Sequence, residues 1–120
     1  MTEIRELPLA DKSLLVSQAY IAGQWIDAPD GKTFEVTDPF DGSCLARLPD
    51  LGPETVRHAI DVAHEVQRDW AGKTAKERSV VLRRWYDLIM ANVDDLALIL
   101  TSEQGKPLAE ARGEIVSNAA

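Results

Sequence analysis

At Pro53 the spacing of apolar residues changes from two to 3.6, and no other feature narrows the possible folds as much. Upstream, "KTFEVTDP" alternates Phe34 and Val36 with Glu35 and Thr37, the pattern of a half-buried strand. Pro39 and the Asp41-Gly42 pair break it before "CLARLPD" offers another short strand. "AYIAGQWIDA" sets Tyr20 and Ile21 before, and Trp25 and Ile26 after, a connection containing Gly23, which reads as a hairpin. Ala22 is a poor residue for a left-handed turn position, so the turn type stays open.

Downstream, Val56, Ala59, Ile60, Ala63, Val66 and Trp70 form one stripe, with Arg57, Asp61, Glu65 and Arg68 opposite. This predicts an amphipathic helix over residues 53 to 70, started by Pro53 and ended by Ala71-Gly72. Thr74 and Glu77 spell a capping box for a second helix, running to about Ala91, with Val81, Leu82, Trp85, Leu88 and Ile89 inward. Asn92 and Asp95 stand at cap and third-turn positions of a third helix, and Gly105 can take its left-handed stop. Lys106 and Pro107 open a fourth, whose Leu108, Ala111, Ile115 and Ala119 share a face. No glycine, proline or basic last turn follows, so this helix reads as cut before its end. The chain is thus mostly helical, with about four amphipathic helices after short antiparallel strands. Residues 1 to 18 read as a poorly fixed arm, in which Leu7, Leu9, Leu14, Leu15 and Val16 can pack if a surface is present.

The 120 residues, 45% hydrophobic and 28% charged, suit one modest globular core. A formal net charge of -7 argues against nucleic acid and anionic membrane as partners. One cysteine makes no internal disulfide, acids stand near the N-terminus where a secretory signal has bases, and no apolar run is long enough to span a membrane. The expected compartment is the cytoplasm.

No set of residues assembles into an active site. Cys44 begins a short strand without a glycine-rich elbow or neighbouring histidine, so it reads as a small core residue rather than a nucleophile. His58 and His64 are six apart on one helix and point to different faces, whereas metal ligands on a helix need three or four. Glu54, Glu77, Asp94 and Asp95 lie in first turns, where capping accounts for them. Trp70, Trp85 and Tyr86 read as core, their helical neighbours being aliphatic. Lys106 can attract an anion, but Pro107 removes one amide donor there. No phosphate-binding glycine loop occurs.

Four stretches, "YIAGQWIDA", "FEVTDPFDG", "VQRDWAGKTAKERSVVLRRWYDLIMANVDDLA" and "LTSEQGKPLAEARGEI", together resemble the N-terminal part of an aldehyde dehydrogenase. "TAKER" and "EQGKPLAEA.GEI" are most similar to the succinate-semialdehyde dehydrogenase branch. The resemblance implies an α/β parent fold. Residues 19 to 120 would be the first part of its cofactor-binding domain. It also implies NAD(P)-dependent oxidation of an aldehyde, succinate semialdehyde or another small one, through a thiolate, an oxyanion hole and a glutamate that activates water. All those groups come later in proteins of this kind, so no catalytic or cofactor-binding residue carries over and this chain alone is expected to be inactive and to bind no nicotinamide cofactor.

The resemblance implies one further site: the positions of Val36, Thr37 and Glu103 match oxygen ligands of a monovalent cation that needs at least one more ligand from outside this chain, although the preferred reading of Glu103 is a cap or ion-pair partner at a helix end. The expected partners are the remainder of a parent chain or, in isolation, a second copy packed through the helix faces at 53 to 70 or 107 to 120. The alternative from another class is a stand-alone structural or assembly module reusing this segment.

Overall fold

A computed structural model describes residues 2–120. Two short antiparallel hairpins precede four helices. In the first hairpin β1 (Ala19–Ile21) pairs with β2 (Gln24–Ile26), Tyr20 opposite Trp25. Ala22 and Gly23 have φ of 53° and 78°, both left-handed. The turn therefore has the twist that suits a two-residue hairpin, and the alanine accepts its unfavourable conformation to provide it.

The second hairpin pairs β3 (Thr33–Thr37) with β4 (Cys44–Pro49), and an irregularity between Val36 and Thr37 shifts the register. The connecting turn is closed by Asp38. Its side chain accepts from the Phe40 amide at 2.8 Å, its carbonyl from Gly42 at 2.7 Å, and its own amide donates to Ser43 at 2.9 Å. The buried Asp38 carboxylate also accepts from Arg5 at 2.5 Å, so its charge is paired.

Helix α1 (Pro53–Gly72) starts at its proline as expected and runs two residues past 70, ending where Lys73 returns to extended backbone. The capping box of α2 (Ala75–Ala91) is present in both directions: the Glu77 amide donates to Thr74 Oγ1 at 3.2 Å, and the Thr74 amide to Glu77 Oε2 at 2.7 Å. Helix α3 (Val93–Gln104) stops at Gly105, whose φ is 89°. Helix α4 (Leu108–Ala119) follows Pro107.

Three expectations are corrected. Residues 2–18 are held by the rest of the chain. Ile4 forms a parallel bridge to Cys44, and Leu7 and Leu9 are buried with Leu45 against Leu15, Leu98 and Ile99. The amides of Ala10 and Asp11 donate to the Asp95 carboxylate at 2.9 and 2.8 Å. This carboxylate therefore anchors the arm, and Asn92, whose side-chain nitrogen donates to the Leu88 carbonyl, supplies no side-chain cap to α3.

The third correction concerns the inward face of α2. Val81, Leu82, Trp85 and Leu88 are exposed, Trp85 by 63%, and neither α1 nor α2 contains a buried residue. Trp70 is likewise outside the core. The core lies instead between the arm, β4 and α3, and continues into α4 through the close approach allowed by Ala97 and Ala111. Helix α1 has no extended contact with another element. The accessible surface is 8816 Å², where a compact chain of this mass exposes about 6,400 Å². The radius of gyration is 16.8 Å against about 13.6 Å expected for a domain of this length. The helical half thus presents surface that a compact domain would cover.

Candidate functional site

Two concavities adjoin residues singled out in the sequence. The smaller, about 90 Å³, lies where the arm, the second hairpin and α3 meet. Val36 and Glu103 both line it, so the fold brings together residues 67 positions apart in sequence. Thr37, the third candidate cation ligand, is not on its lining. Leu7, Leu45, Leu48 and Ile99 make the other walls apolar. The larger, about 610 Å³, is an open groove between α2 and the end of α4, with Leu82, Trp85 and Ile89 on one side and Ala119 on the other. Its walls offer no carboxylate, thiol or imidazole.

The remaining candidates are dispersed. Cys44 is fully buried, its thiol 3.6 Å from the Ala46 carbonyl, out of reach of any substrate. His58 and His64 are exposed on α1. Among the described residues no three histidine, cysteine or acidic side chains cluster to hold a metal. Asp94 accepts from Arg112 Nε at 3.0 Å and Lys106 pairs with Glu114, so the charge at the start of α4 is already matched. Among the described residues α4 begins on a proline, which donates no amide, and the left-handed Gly105 closes a helix rather than opening one.

Perturbed carboxylates are confined to turns and caps. Glu77 is held below its ordinary pKa chiefly by the Thr74 amide, and Asp41 and Asp11 by the hydroxyls of Ser43 and Ser13. The Lys12 ammonium lowers Glu6 and the Lys32 amide lowers Asp30. All five lie on the surface, where such shifts report local hydrogen bonds and not poised acid or base chemistry. What the sequence reading missed is structural: Arg5, which joins the arm to Asp38 and Asp41, and Asp95. The alternation of "ELPLAD", with Leu7 and Leu9 two apart, is the signal that could have found the arm's pairing.

The chain belongs to the aldehyde dehydrogenase family, whose model matches residues 25–120. Among individual proteins it is similar to 3-sulfolactaldehyde dehydrogenase of Pseudomonas putida, 51% identical over 91% of this chain and 22% of the relative. It is 47% identical to succinate-semialdehyde dehydrogenase [NADP(+)] of Escherichia coli K12, over 91% of this chain and 23% of the relative. The crystal structure of an aldehyde dehydrogenase from Brucella melitensis biovar abortus superposes with a TM-score of 0.91 at 56% identity, covering 95% of this chain and 24% of that one. The chain therefore spans about 22% of the length of these curated relatives. Its four helices and short hairpins are a piece of the family's α/β fold.

Proposed function

We propose that this chain forms the N-terminal part of an NAD(P)-dependent aldehyde dehydrogenase that converts a small aldehyde with an anionic far end to its acid. Succinate semialdehyde is the first choice of substrate. The reading is carried by the match over nearly the whole chain to enzymes several times longer, named for sulfolactaldehyde and succinate semialdehyde. Both of these aldehydes carry an acid group away from the reacting carbonyl, which is why the proposal is framed by that group.

The 120 residues supply no reacting group, and their part in such an enzyme is architectural. The arm, β4 and α3 form a small independent core, and the stripes of α1 and α2 offer apolar surface to the remainder of a longer polypeptide. In this reading the cofactor contacts belong to that remainder, supported by the proline that stands at the start of α4 and offers no amide donor, and the protein is assigned to the cytoplasm. Val36, Thr37 and Glu103 are the residues we propose for a monovalent cation, two of them sharing the small cavity beneath the arm. Carbonyl and carboxylate oxygens are suitable hard ligands for such an ion.

The test is an assay of the protein translated from the complete reading frame. Succinate semialdehyde, 3-sulfolactaldehyde and uncharged butanal are each supplied with NAD+ and with NADP+. Preference for the charged aldehydes supports the reading; no cofactor reduction with any of them refutes it. A frame that closes directly after Ala120 would instead favour the assembly module, for which the open α1 and α2 faces are the supporting observation.

A further inference from the structure

We infer that Asp30-Gly31 is the point at which this chain rearranges spontaneously to isoaspartate, while the fold holds back the identical pair Asp41-Gly42. Both pairs invite the same reaction. Glycine has no Cβ, so its amide nitrogen can reach the preceding side-chain carboxyl unobstructed. Nothing lies within 4 Å of a Cβ built at Gly31 or at Gly42, so the surroundings add no obstacle. The nitrogen bonds to the aspartate Cγ, and one water leaves with a carboxyl oxygen and the amide hydrogen, giving a succinimide. Water then reopens the ring. Attack at Cγ restores aspartate, whereas attack at the former backbone carbonyl leaves the chain running through the side chain, with a free α-carboxylate. Atoms balance without an oxidant or reductant.

For the ring to close, the carboxylate must leave its hydrogen bonds and turn back onto the next amide, which must give up its own. The two sites start alike. Asp30 Oδ1 accepts from the Lys32 amide at 3.0 Å, and Asp41 Oδ1 from the Ser43 amide at 2.9 Å. Each carboxylate also has a basic group 3.4 Å away, Lys32 Nζ for Asp30 and Arg5 Nη1 for Asp41. Such exposed pairs hold little and do not separate the sites.

Two further restraints act on Asp41. The Ser43 hydroxyl donates to its Oδ1 at 2.6 Å, a bond to a charged acceptor. Lys32 stands in the corresponding place after Asp30, so the hydroxyl has no equivalent there. The Gly42 amide donates to the carbonyl of Asp38 at 2.7 Å, and Asp38 is buried, paired with Arg5 and followed by Pro39, which lies against Gly105. The Gly31 amide donates to Ala28 at 2.9 Å, in a turn whose Pro29, Asp30, Gly31 and Lys32 are all exposed. Closing the ring at Asp41 therefore disturbs a turn anchored in the core, and at Asp30 only a surface turn. Isoaspartate at residue 30 would lengthen the backbone by one methylene just before β3, where the Lys32 carbonyl accepts from the Asp50 amide at 2.9 Å and Thr33 pairs with Pro49. Its α-carboxylate is the kind of group that carboxyl methyltransferases esterify with S-adenosylmethionine, which makes this loop a repair site for such an enzyme.

The rearrangement does not depend on the enzymatic reading. The protein translated from the complete reading frame is held at neutral pH and body temperature for several weeks. Peptide mapping with a protease that cuts before aspartate but not before isoaspartate locates the product, and methyl transfer from S-adenosylmethionine by an isoaspartyl methyltransferase measures it. Residue 30 should accumulate isoaspartate roughly tenfold faster than residue 41. In concentrated urea, where the fold is gone, the two rates should converge. Ser43→Ala should raise the rate at Asp41 severalfold and leave Asp30 unchanged. Equal rates in the folded protein, a faster rate at Asp41, or no isoaspartate at residue 30 overturns the assignment. So does a difference of the same size surviving in urea, which would trace it to neighbouring residues rather than to the fold. Aldehyde oxidation enters none of these readings and is decided by its own assay.

Discussion

Gly105→Ala should be among the most destabilising single-methyl changes available in this chain. Gly105 sits at φ 89°, and a Cβ built there falls 2.8 Å from Pro39 Cγ, inside ordinary carbon–carbon contact. Holding an alanine in the left-handed region costs about 1–2 kcal/mol, and forcing an extra methyl into a packed contact about 1–3 kcal/mol. The alanine recovers about 0.4–1 kcal/mol by restricting the unfolded chain, which leaves a net loss of roughly 1–4.6 kcal/mol. Pro39 cannot easily retreat, because the preceding Asp38 is fixed by Arg5 and by amide contacts within its own turn.

Gly42→Ala is the internal control: its φ is 75°, yet nothing lies within 4 Å of a Cβ there. Gly42→Ala should therefore lose only the backbone share, roughly 0–1.6 kcal/mol. Urea unfolding followed by far-ultraviolet circular dichroism gives both values, provided the m-values agree. Equal midpoints for the two variants would refute the claim that α3 closes directly against the Asp38-Pro39 turn.

The other expectations are simpler. Thr74→Ala removes the hydroxyl that accepts from Glu77 and should cost about 1 kcal/mol of helix stability, read as lost ellipticity at 222 nm. Glu77 has a folded pKa below its ordinary 4.5, so its contribution is present above that pH and disappears as pH falls through the lower folded value; Glu77→Gln should flatten the acid limb of the stability curve. Asp95→Ala frees the Ala10 and Asp11 amides and should speed their hydrogen exchange roughly tenfold, while amides in the middle of α3 keep their protection. Cys44 is fully buried and should react with a thiol reagent only when the chain unfolds, so prompt labelling of native protein would contradict its placement. If Val36, Thr37 and Glu103 hold a monovalent cation, potassium or sodium should raise the melting temperature relative to tetramethylammonium at equal ionic strength, and Glu103→Gln should abolish the difference.

Local signals were readable from sequence and distant partners were not. Thr74 and Glu77 make a cap from residues three apart, and Gly105 ends a helix by its own backbone freedom, so both could be located without knowing what surrounds them. Asp95 looked like another first-turn acid, but its partners are amides 85 and 84 residues earlier, which no local pattern encodes. The stripe on α2 identified the face of Leu82 and Trp85 that seeks cover without saying what covers it, and in this chain the face is open. At the cation candidate, the resemblance supplied Val36, Thr37 and Glu103, and only the first and last line the cavity formed where β3, the arm and α3 meet. The chemistry was the least readable part because the described residues that could carry it do not converge: Cys44 is buried in the core, while His58 and His64 are exposed on α1.

The bridge from Ile4 to Cys44 and the grip of Asp95 on Ala10 and Asp11 also set an order of events. During synthesis residues 4–9 can meet Cys44 and Leu45 once the second hairpin has emerged, but the amides of Ala10 and Asp11 must wait for Asp95 until α3 has been made. Closing so wide a loop is slow compared with forming a helix or a two-residue hairpin. The arm is thus the last piece of this core to lock, and a nascent chain stalled before residue 95 would hold Leu7 and Leu9 against Leu45 and Leu15 alone, with the side that Leu98 and Ile99 cover left open to a chaperone.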